Sequence, residues 1–176
     1  MKYNTIVIDP PRNISMGAIP KCRPNRARQL PYKTMNLEEI KQFPIKDYAE
    51  DGAHIYCWTT NKMIWFIPEI FKAWGVRFHL IIPMIKPTGM TPLLTGYKFA
   101  AEYCILGFFN PPMQKFIGAG KLNWIKAFNK AGSHSSKPDE FYSLVEQMSP
   151  GPRIDIFSRK KREGWEQYGD EINKFN

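Results

Sequence analysis

The residues with the clearest chemical potential follow the first apolar run of the chain, where Asp9, Pro10 and Pro11 come directly after Val7 and Ile8. Ligands of open α/β sheets bind beyond the carboxyl ends of the strands, so an acid at this position faces a cleft. The two prolines fix the backbone and remove two N–H donors. The turn therefore offers hydrogen-bond acceptors, although three such residues alone are also compatible with an ordinary turn.

A rigid turn that offers hydrogen-bond acceptors is suited to binding an exocyclic amine on an aromatic ring. The lone pair of the adenine amino group is delocalised into the ring, which makes the nitrogen a poor nucleophile. Two acceptors that bind its hydrogens draw the nitrogen toward a pyramidal geometry and free the lone pair to attack a sulfonium methyl group. Alignment of the two reactants lowers the barrier further. Asp9, Pro10, Pro11 and the following Arg12 are therefore the candidate catalytic residues.

Positive charge is concentrated in two segments of the chain. The sequence has 25 Lys and Arg against 16 Asp and Glu, a formal net charge of +9. Six basic residues and no acid lie between positions 12 and 33, and five lysines and no acid lie between positions 114 and 138. Unopposed positive charge of this kind is typical of surfaces that bind a polyanion such as nucleic acid. The alternative is a solvated basic face that binds nothing.

Composition and length exclude several other classes of protein. A chain of 176 residues with 43% hydrophobic residues fits a single packed domain, residues 1–176. Its longest apolar stretches have eight residues, whereas about twenty are needed to cross a bilayer. The first residues lack the pattern of a secretory signal, so a cytoplasmic location is expected. The three cysteines and three histidines are scattered, which disfavours disulfides and a metal site.

The periodicity of apolar residues and the positions of residues that end helices and strands predict strands that alternate with helices. The predicted strands cover residues 4–9, 54–59, 76–86, 99–108 and 153–158. The predicted helices cover 36–43 and 62–74, the second kinked at Pro68 and ended by Gly75. A third helix is predicted to start with Ser136 as its cap and Pro138 in its first turn, and residues 164–175 to form a terminal helix or turn. This alternation predicts an α/β fold with parallel strands at the centre of its sheet.

A series of short motifs follows the Asp-Pro-Pro turn. They are YKTM at 32–35, WTTN at 58–61, WG at 74–75, EYCILG at 102–107, SSKPDE at 135–140, FSR at 157–159, GW at 164–165 and GDE at 169–171. The series resembles the MT-A family of adenine-N6 methyltransferases. The resemblance covers almost the whole chain.

The resemblance implies a Rossmann-like methyltransferase fold of permuted order, with a mostly parallel sheet flanked by helices and with S-adenosylmethionine as cofactor. Asp9, Pro10 and Pro11 match the residues that hold the target amine, and Asp9 also borders the cofactor. The other implied cofactor contacts, at the ribose, the methionine end and the adenine side, are Arg159, Lys161, Gly169, Asp170 and Glu171. The residues assigned to the nucleic-acid side are Arg12, Tyr32, Lys33, Lys86, Lys121, Ser135 and Lys137.

Three positions depart from the family pattern, and at one of them, Asp170, the more common Asn is replaced by a residue that still accepts from ribose hydroxyls. The family's tetrad is Asp-Pro-Pro-Trp or carries a related aromatic residue, whereas the fourth residue here is Arg12. An indole stacks on a flipped base; a guanidinium can also stack, or pair with a phosphate. In the eukaryotic enzymes a Lys precedes the residue that matches Glu102, whereas Ala101 stands here, and Lys98 or Lys86 is the candidate replacement.

These features predict a methyltransferase that transfers a methyl group from S-adenosylmethionine to the N6 amine of adenine in nucleic acid. DNA is favoured over RNA, because the chain resembles the minimal single-domain members of the family. Two alternatives stay open: a catalytically silent nucleic-acid-binding partner subunit, and a methyltransferase for a small molecule or protein. Nucleic acid is the predicted partner, a membrane is not, and assembly as a homo- or hetero-oligomer is left open.

Overall fold

A seven-stranded sheet forms the centre of the molecule in a computed structural model, which describes residues 1–12, 34–90, 97, 99–126 and 137–169. The strands are β1 (Tyr3–Ile8), β2 (Ala49–Thr59), β3 (Val76–Met90), β4 (Phe99–Phe109), β5 (Ile125–Lys126), β6 (Arg153–Ile156) and β7 (Glu166–Tyr168). Their order is β5-β3-β4-β2-β1-β6-β7, and only β4 runs antiparallel to its two neighbours. The predicted α/β fold with a mostly parallel sheet is confirmed.

Four α-helices of the described residues flank the sheet: α1 (Leu37–Lys41), α2 (Ile45–Tyr48), α3 (Ile67–Trp74) and α4 (Asp139–Met148). Asn36 starts α1 with a capping box, in which its side chain accepts from the Glu39 N–H (3.0 Å) and Glu39 accepts from the Asn36 N–H (2.7 Å). Gly75 ends α3 in the left-handed region, at φ 70°. None of the described helices is long and apolar enough to span a bilayer.

The sheet separates two hydrophobic clusters. Most of β1 is buried, and its successive residues point to opposite faces. Ile6 and Ile8 belong to the cluster on the side of α1 and α3, and Val7 belongs to the cluster on the side of α4. In the second cluster the rings of Trp58 and Phe141 meet edge-on at 4.7 Å. Packing on both faces fixes the central strands and therefore the residues at their ends.

The strand directions bring several chain segments to one edge of the sheet. Ile8, the last residue of β1, pairs with Cys57 of β2 and with Ile156 of β6 in parallel. Because β4 is antiparallel to β2, with Trp58 opposite Cys104, β4 begins where β2 ends. At this edge β1, β2 and β6 end and β4 begins, and we call it the carboxyl edge. Residues that follow β1, β2 and β6 meet there.

Several sequence predictions differ from the structure at the ends of elements. The segment predicted as a terminal helix or turn has, in its described part, a turn at Gly164 that leads into β7, which pairs in parallel with β6. The helix alternative is wrong for these residues. The predicted helix 62–74 is a 3₁₀-helix over Ile64–Phe66 followed by α3, so Pro68 lies in the first turn of α3, where a missing N–H costs nothing. The N-cap of α4 is Pro138 instead of Ser136. α2 and β5 were not predicted, because elements of four and two residues carry too little periodicity.

Candidate active site

Asp9 lies at the carboxyl edge, one residue after β1. Its N–H continues the pairing with β6 by donating to the Ile156 carbonyl (3.3 Å). Its side chain is 36% exposed, so the carboxylate faces both protein and solvent. Pro10 is buried, and the carbonyl of Pro11 accepts a hydrogen bond from the Met35 N–H (2.6 Å). The Asp-Pro-Pro turn is therefore held at both ends, with its acidic side chain accessible.

Lys137 forms an ion pair with Asp9. Its ammonium group is 2.8 Å from Asp9 Oδ2, 3.5 Å from Glu102 Oε2 and 4.9 Å from the centre of the Trp58 ring. Burial alone would lower the pKa of Lys137, but the charges of Asp9 and Glu102 and their hydrogen bonds outweigh it, so the pKa is raised. Lys137 therefore stays protonated and orients the Asp9 carboxylate.

Glu102 also binds a second lysine. Lys86 of β3 and Glu102 of β4 form a hydrogen-bonded ion pair across the two neighbouring strands. Lys86 and Lys98 were the two candidates to replace the family's lysine at the position of Ala101. The structure places Lys86 at the Glu102 carboxylate, and Lys98 lies outside the described residues. Alternating charges thus run across the carboxyl edge from Lys86 to Asp9.

A cleft that is open to solvent lies beside Asp9, along the ends of β1 and β6. The empty space inside it is about 330 Å³ when its open solvent is included. Three predicted site residues line it, namely Asp9, Lys137 and Arg159. The other lining residues were not singled out from the sequence as site residues: Tyr142, Asp155, Phe157, Ser158, Lys160 and Arg162.

The turn after β6 has a strained backbone. Phe157 has φ 64°, in the left-handed region that residues other than glycine rarely adopt. Its N–H donates to the Tyr168 carbonyl (2.5 Å), and a Cβ at Gly169 would lie 3.0 Å from Phe157 Cα. The close approach of the two backbones and the φ of 148° at Gly169 both favour glycine at this position, and its cofactor contact stays a prediction. Strain of this kind concentrates at functional sites, and here it precedes Ser158, which lines the cleft.

Two cations fasten the segment after β6 to the start of α4. Arg162 Nη1 is 2.6 Å from Asp139 Oδ1, and Lys160 Nζ is 3.3 Å from Asp139 Oδ2. Desolvation would raise the pKa of Asp139, but hydrogen bonds from Arg162 and Lys160 outweigh it, so the pKa is lowered. The Arg162 guanidinium also lies 3.6 Å above the Tyr142 ring. These contacts stabilise one wall of the cleft and leave it basic.

Arg12 lies in the protein interior and is not among the residues that line the cleft. Its side chain donates to Thr59 Oγ1 (2.9 Å) and to the Trp58 carbonyl at the end of β2. The sequence interpretation placed this guanidinium against a base or a phosphate. That contact stays a prediction, and the structure gives the side chain partners within the protein.

The remaining predicted residues are spread over the chain. Lys161 is exposed beyond Arg159. Lys121 is exposed on the segment that leads to β5, and earlier in this segment Gln114 donates to Asn4 at the start of β1 (2.8 Å). Lys121 is not among the residues that line the cleft. Five predicted residues lie outside the described part of the chain: Tyr32, Lys33, Ser135, Asp170 and Glu171.

Comparison with known proteins identifies the family. The profile of the MT-A70 family matches residues 3–171. The chain belongs to the MT-A70 family. Human N(6)-adenosine-methyltransferase catalytic subunit METTL3 is 26% identical over 181 residues, covering 98% of this chain and 28% of the human protein. Mouse N(6)-adenine-specific methyltransferase METTL4 is 28% identical over 198 residues, covering 98% of this chain and 38% of the mouse protein.

A third relative is the N(6)-adenosine-methyltransferase MT-A70-like protein of Drosophila melanogaster. It is 26% identical over 181 residues, covering 98% of this chain and 27% of the relative. The chain therefore spans less than two fifths of the length of these three relatives. Membership in MT-A70 confirms the resemblance found in the motifs. MT-A70 methyltransferases use S-adenosylmethionine as methyl donor, which is the cofactor predicted from the sequence.

The residues at the cleft of this MT-A70 member suit that cofactor. S-adenosylmethionine carries an ammonium group, a sulfonium and a carboxylate. The cleft offers the acids Asp9 and Asp155 and the cations Lys137 and Lys160, so both signs of charge have a complement. No group of three or more His, Cys, Asp or Glu within the described ranges is placed to hold a metal ion.

Asp155 is the missed residue with the clearest sequence signal, because a lone acid inside the apolar strand RIDIF is rarely buried without a partner. It is 3% exposed and accepts a hydrogen bond from the Tyr142 hydroxyl (2.7 Å). Burial raises its pKa to about 6, against hydrogen bonds from Tyr142 and Ser158 that lower it. In contrast, Lys160 and Arg162 resemble ordinary surface cations in the sequence.

Asp155 makes the stability of the protein depend on pH. Because its folded-state pKa of about 6 exceeds the ordinary value of 3.8, its stabilising contribution is complete below pH 3.8 and is lost as the pH rises through about 6. Asp155→Asn retains an acceptor for Tyr142. We expect it to raise the free energy of unfolding by about 2–3 kcal/mol at neutral pH and by almost nothing near pH 4. Urea unfolding of the wild type and the variant at neutral pH and near pH 4 measures the difference. An equal increase in unfolding free energy at the two pH values would contradict the prediction.

Proposed function

We propose that this MT-A70 member is an S-adenosylmethionine-dependent methyltransferase that modifies the N6 amine of adenine in nucleic acid. The observation that carries the proposal is the Asp9 carboxylate beside the cleft, paired with Lys137 at 2.8 Å. The names of the relatives, N(6)-adenosine and N(6)-adenine-specific methyltransferases, support the same target atom.

Asp9 acts on the target amine as a hydrogen-bond acceptor. One of its oxygens binds Lys137, and a carboxylate keeps further lone pairs for an amine N–H. Pro10 and Pro11 have no N–H that would compete for the carbonyl acceptors or repel the amine. Positive charge develops on the nitrogen as it attacks, and a preorganised carboxylate stabilises that charge.

S-adenosylmethionine, when bound, supplies an electrophilic methyl group on sulfonium. In this chain Asp9 and Asp155 are suited to its positive groups and Lys137 to its carboxylate. Arg159 at the ribose and Lys161 at the methionine end are part of the proposal. So are three residues from the end of the chain, carried over from the family pattern: Gly169, Asp170 and Glu171.

Nucleic acid is the proposed substrate because the net charge is +9 and because two segments, 12–33 and 114–138, carry basic residues and no acid. DNA is the polymer we favour, and the word adenosine in the names of several relatives makes RNA the necessary comparison. The proposed location is the cytoplasm. Assembly with a second copy or another subunit is compatible with the proposal.

Mass spectrometry of nucleosides tests the proposal. The wild-type protein is incubated with methyl-labelled S-adenosylmethionine and, in parallel, with adenine-containing DNA and RNA of the same sequence. We expect label in N6-methyladenine from the DNA, at a higher level than from the RNA. Label in RNA alone would contradict the choice of polymer, and label on another atom or on neither polymer would contradict the function.

A catalytically silent nucleic-acid-binding subunit is the second candidate. The observation that favours it is Arg12, which replaces the aromatic residue of the tetrad and lies away from the cleft. Calorimetry separates the two candidates. Heat on titration with S-adenosylmethionine supports the enzyme, and no heat at high micromolar cofactor supports the silent subunit.

A further inference from the structure

Arg12 occupies a position that arginine rarely takes. Arginine side chains are seldom buried without a charged partner, yet Arg12 is 8% exposed and forms no ion pair with another described residue. Its guanidinium contacts the last three residues of β2: it donates to Thr59 Oγ1 (2.9 Å) and to the Trp58 carbonyl, and lies 4.0 Å from Cys57 Sγ. One side chain therefore reaches from the turn after β1 to the end of β2.

The backbone beside Arg12 explains what this contact adds. The ladder between β1 and β2 ends at Ile8, and the two prolines that follow Asp9 have no N–H with which to extend it. β6 holds the start of the turn through the Asp9 N–H, and Met35 holds its end through the Pro11 carbonyl. The Arg12 guanidinium supplies the donors toward β2 that the prolines lack.

We propose that Arg12 is a positioning residue, whose guanidinium fastens the Asp-Pro-Pro turn to the end of β2 and thereby fixes the direction of the Asp9 carboxylate. The inference rests on the function proposed above. It gives a physical reason for the departure from the aromatic tetrad, because in this chain the fourth position serves the turn and not the base. Arg12 then acts on catalysis through Asp9 and makes no contact with the nucleic acid.

Two substitutions at position 12 separate positioning from folding. Arg12→Ala leaves a cavity that a guanidinium ion can enter, and Arg12→Met fills that cavity with apolar atoms. We expect kcat to fall about 100-fold in both, since a displacement of about 1 Å in a catalytic group has this effect, with the KM for an oligonucleotide unchanged. Millimolar guanidinium chloride restores activity to Arg12→Ala and not to Arg12→Met, and urea at equal concentration restores neither.

The acceptor on β2 provides a matched pair of variants. Thr59→Val removes the hydroxyl that accepts from Arg12, and Thr59→Ser retains it. We expect a lower kcat in Thr59→Val and a much smaller change in Thr59→Ser. A readout independent of activity is hydrogen exchange at the Met35 amide, which donates to Pro11 and forms a bridge with Arg12. Exchange there is expected to be faster in Arg12→Met than in the wild-type protein.

The outcomes distinguish this inference from the proposed function. A wild-type kcat in Arg12→Met overturns it, and so does a raised KM for the oligonucleotide with unchanged kcat, which would make Arg12 a substrate contact. If the wild-type protein methylates no nucleic acid, the proposed function fails while the exchange measurement still decides the role of Arg12. Unchanged protection of Met35 then overturns the positioning role, and faster exchange supports it.

Discussion

Asp9→Asn is expected to lower kcat for adenine methylation by about 100- to 1,000-fold, the loss typical of removing one preorganised electrostatic group. The amide keeps the shape of the side chain but has no charge, and its NH₂ group repels the target amine. Lys137 loses its ion-pair partner at 2.8 Å at the same time. Steady-state kinetics with saturating oligonucleotide measures the effect.

Asp47→Asn is the matched control for Asp9→Asn, because Asp47 is an exposed acid on α2, which leads into the opposite end of β2. We expect it to retain wild-type kcat. A far-UV circular dichroism spectrum and a urea unfolding midpoint equal to those of the wild type show that Asp9→Asn is folded. A kcat for Asp9→Asn within a few-fold of wild type would remove Asp9 from the chemistry.

Lys137→Met is expected to lower kcat/KM for the cofactor by about 10- to 100-fold, the range for loss of a charge-assisted hydrogen bond. The substitution leaves the carboxylates of Asp9 and Glu102 without the cation between them. Lys137→Arg keeps the charge and is expected to retain more activity. Lys72→Met, at an exposed position on α3, is the control. Equal activity of Lys137→Met and Lys72→Met would contradict the assignment.

The same ion pair has a pH dependence with a definite sign. The pKa of Lys137 is raised above 10.5, so its contribution to stability is complete below pH 10.5 and is lost as the pH rises through the higher folded-state value. The difference in unfolding free energy between wild type and Lys137→Met should therefore be constant at neutral pH and shrink in alkali. A difference that grows above pH 10.5 would contradict this sign.

The site residues that could be predicted from the sequence are those whose signals come from neighbouring positions in the chain. Asp9 could be placed because it follows a β-branched run and precedes two prolines, and Lys137 because its motif precedes a helix with two acids in its first turn. These signals depend on neighbours in the chain. The strand-helix alternation likewise predicted a sheet with parallel strands at its centre.

Contacts that depend on strand register could not be predicted. The pairing of Lys86 with Glu102 requires the alignment of β3 with β4, and the burial of Arg12 requires that β2 end beside it. β7 has three residues and forms a strand through pairing with β6, which is why its segment was interpreted as a helix or turn.

The most direct test of the proposed role of Asp9 observes the target amine itself. An oligonucleotide with a single ¹⁵N6-labelled adenine is bound to the protein together with S-adenosylhomocysteine, and its amino protons are followed by NMR in wild type and in Asp9→Asn. We expect two separate amino resonances in the wild-type complex, one of them shifted by the charge of Asp9 and displaced back in the variant. Identical amino resonances in the two complexes would contradict it.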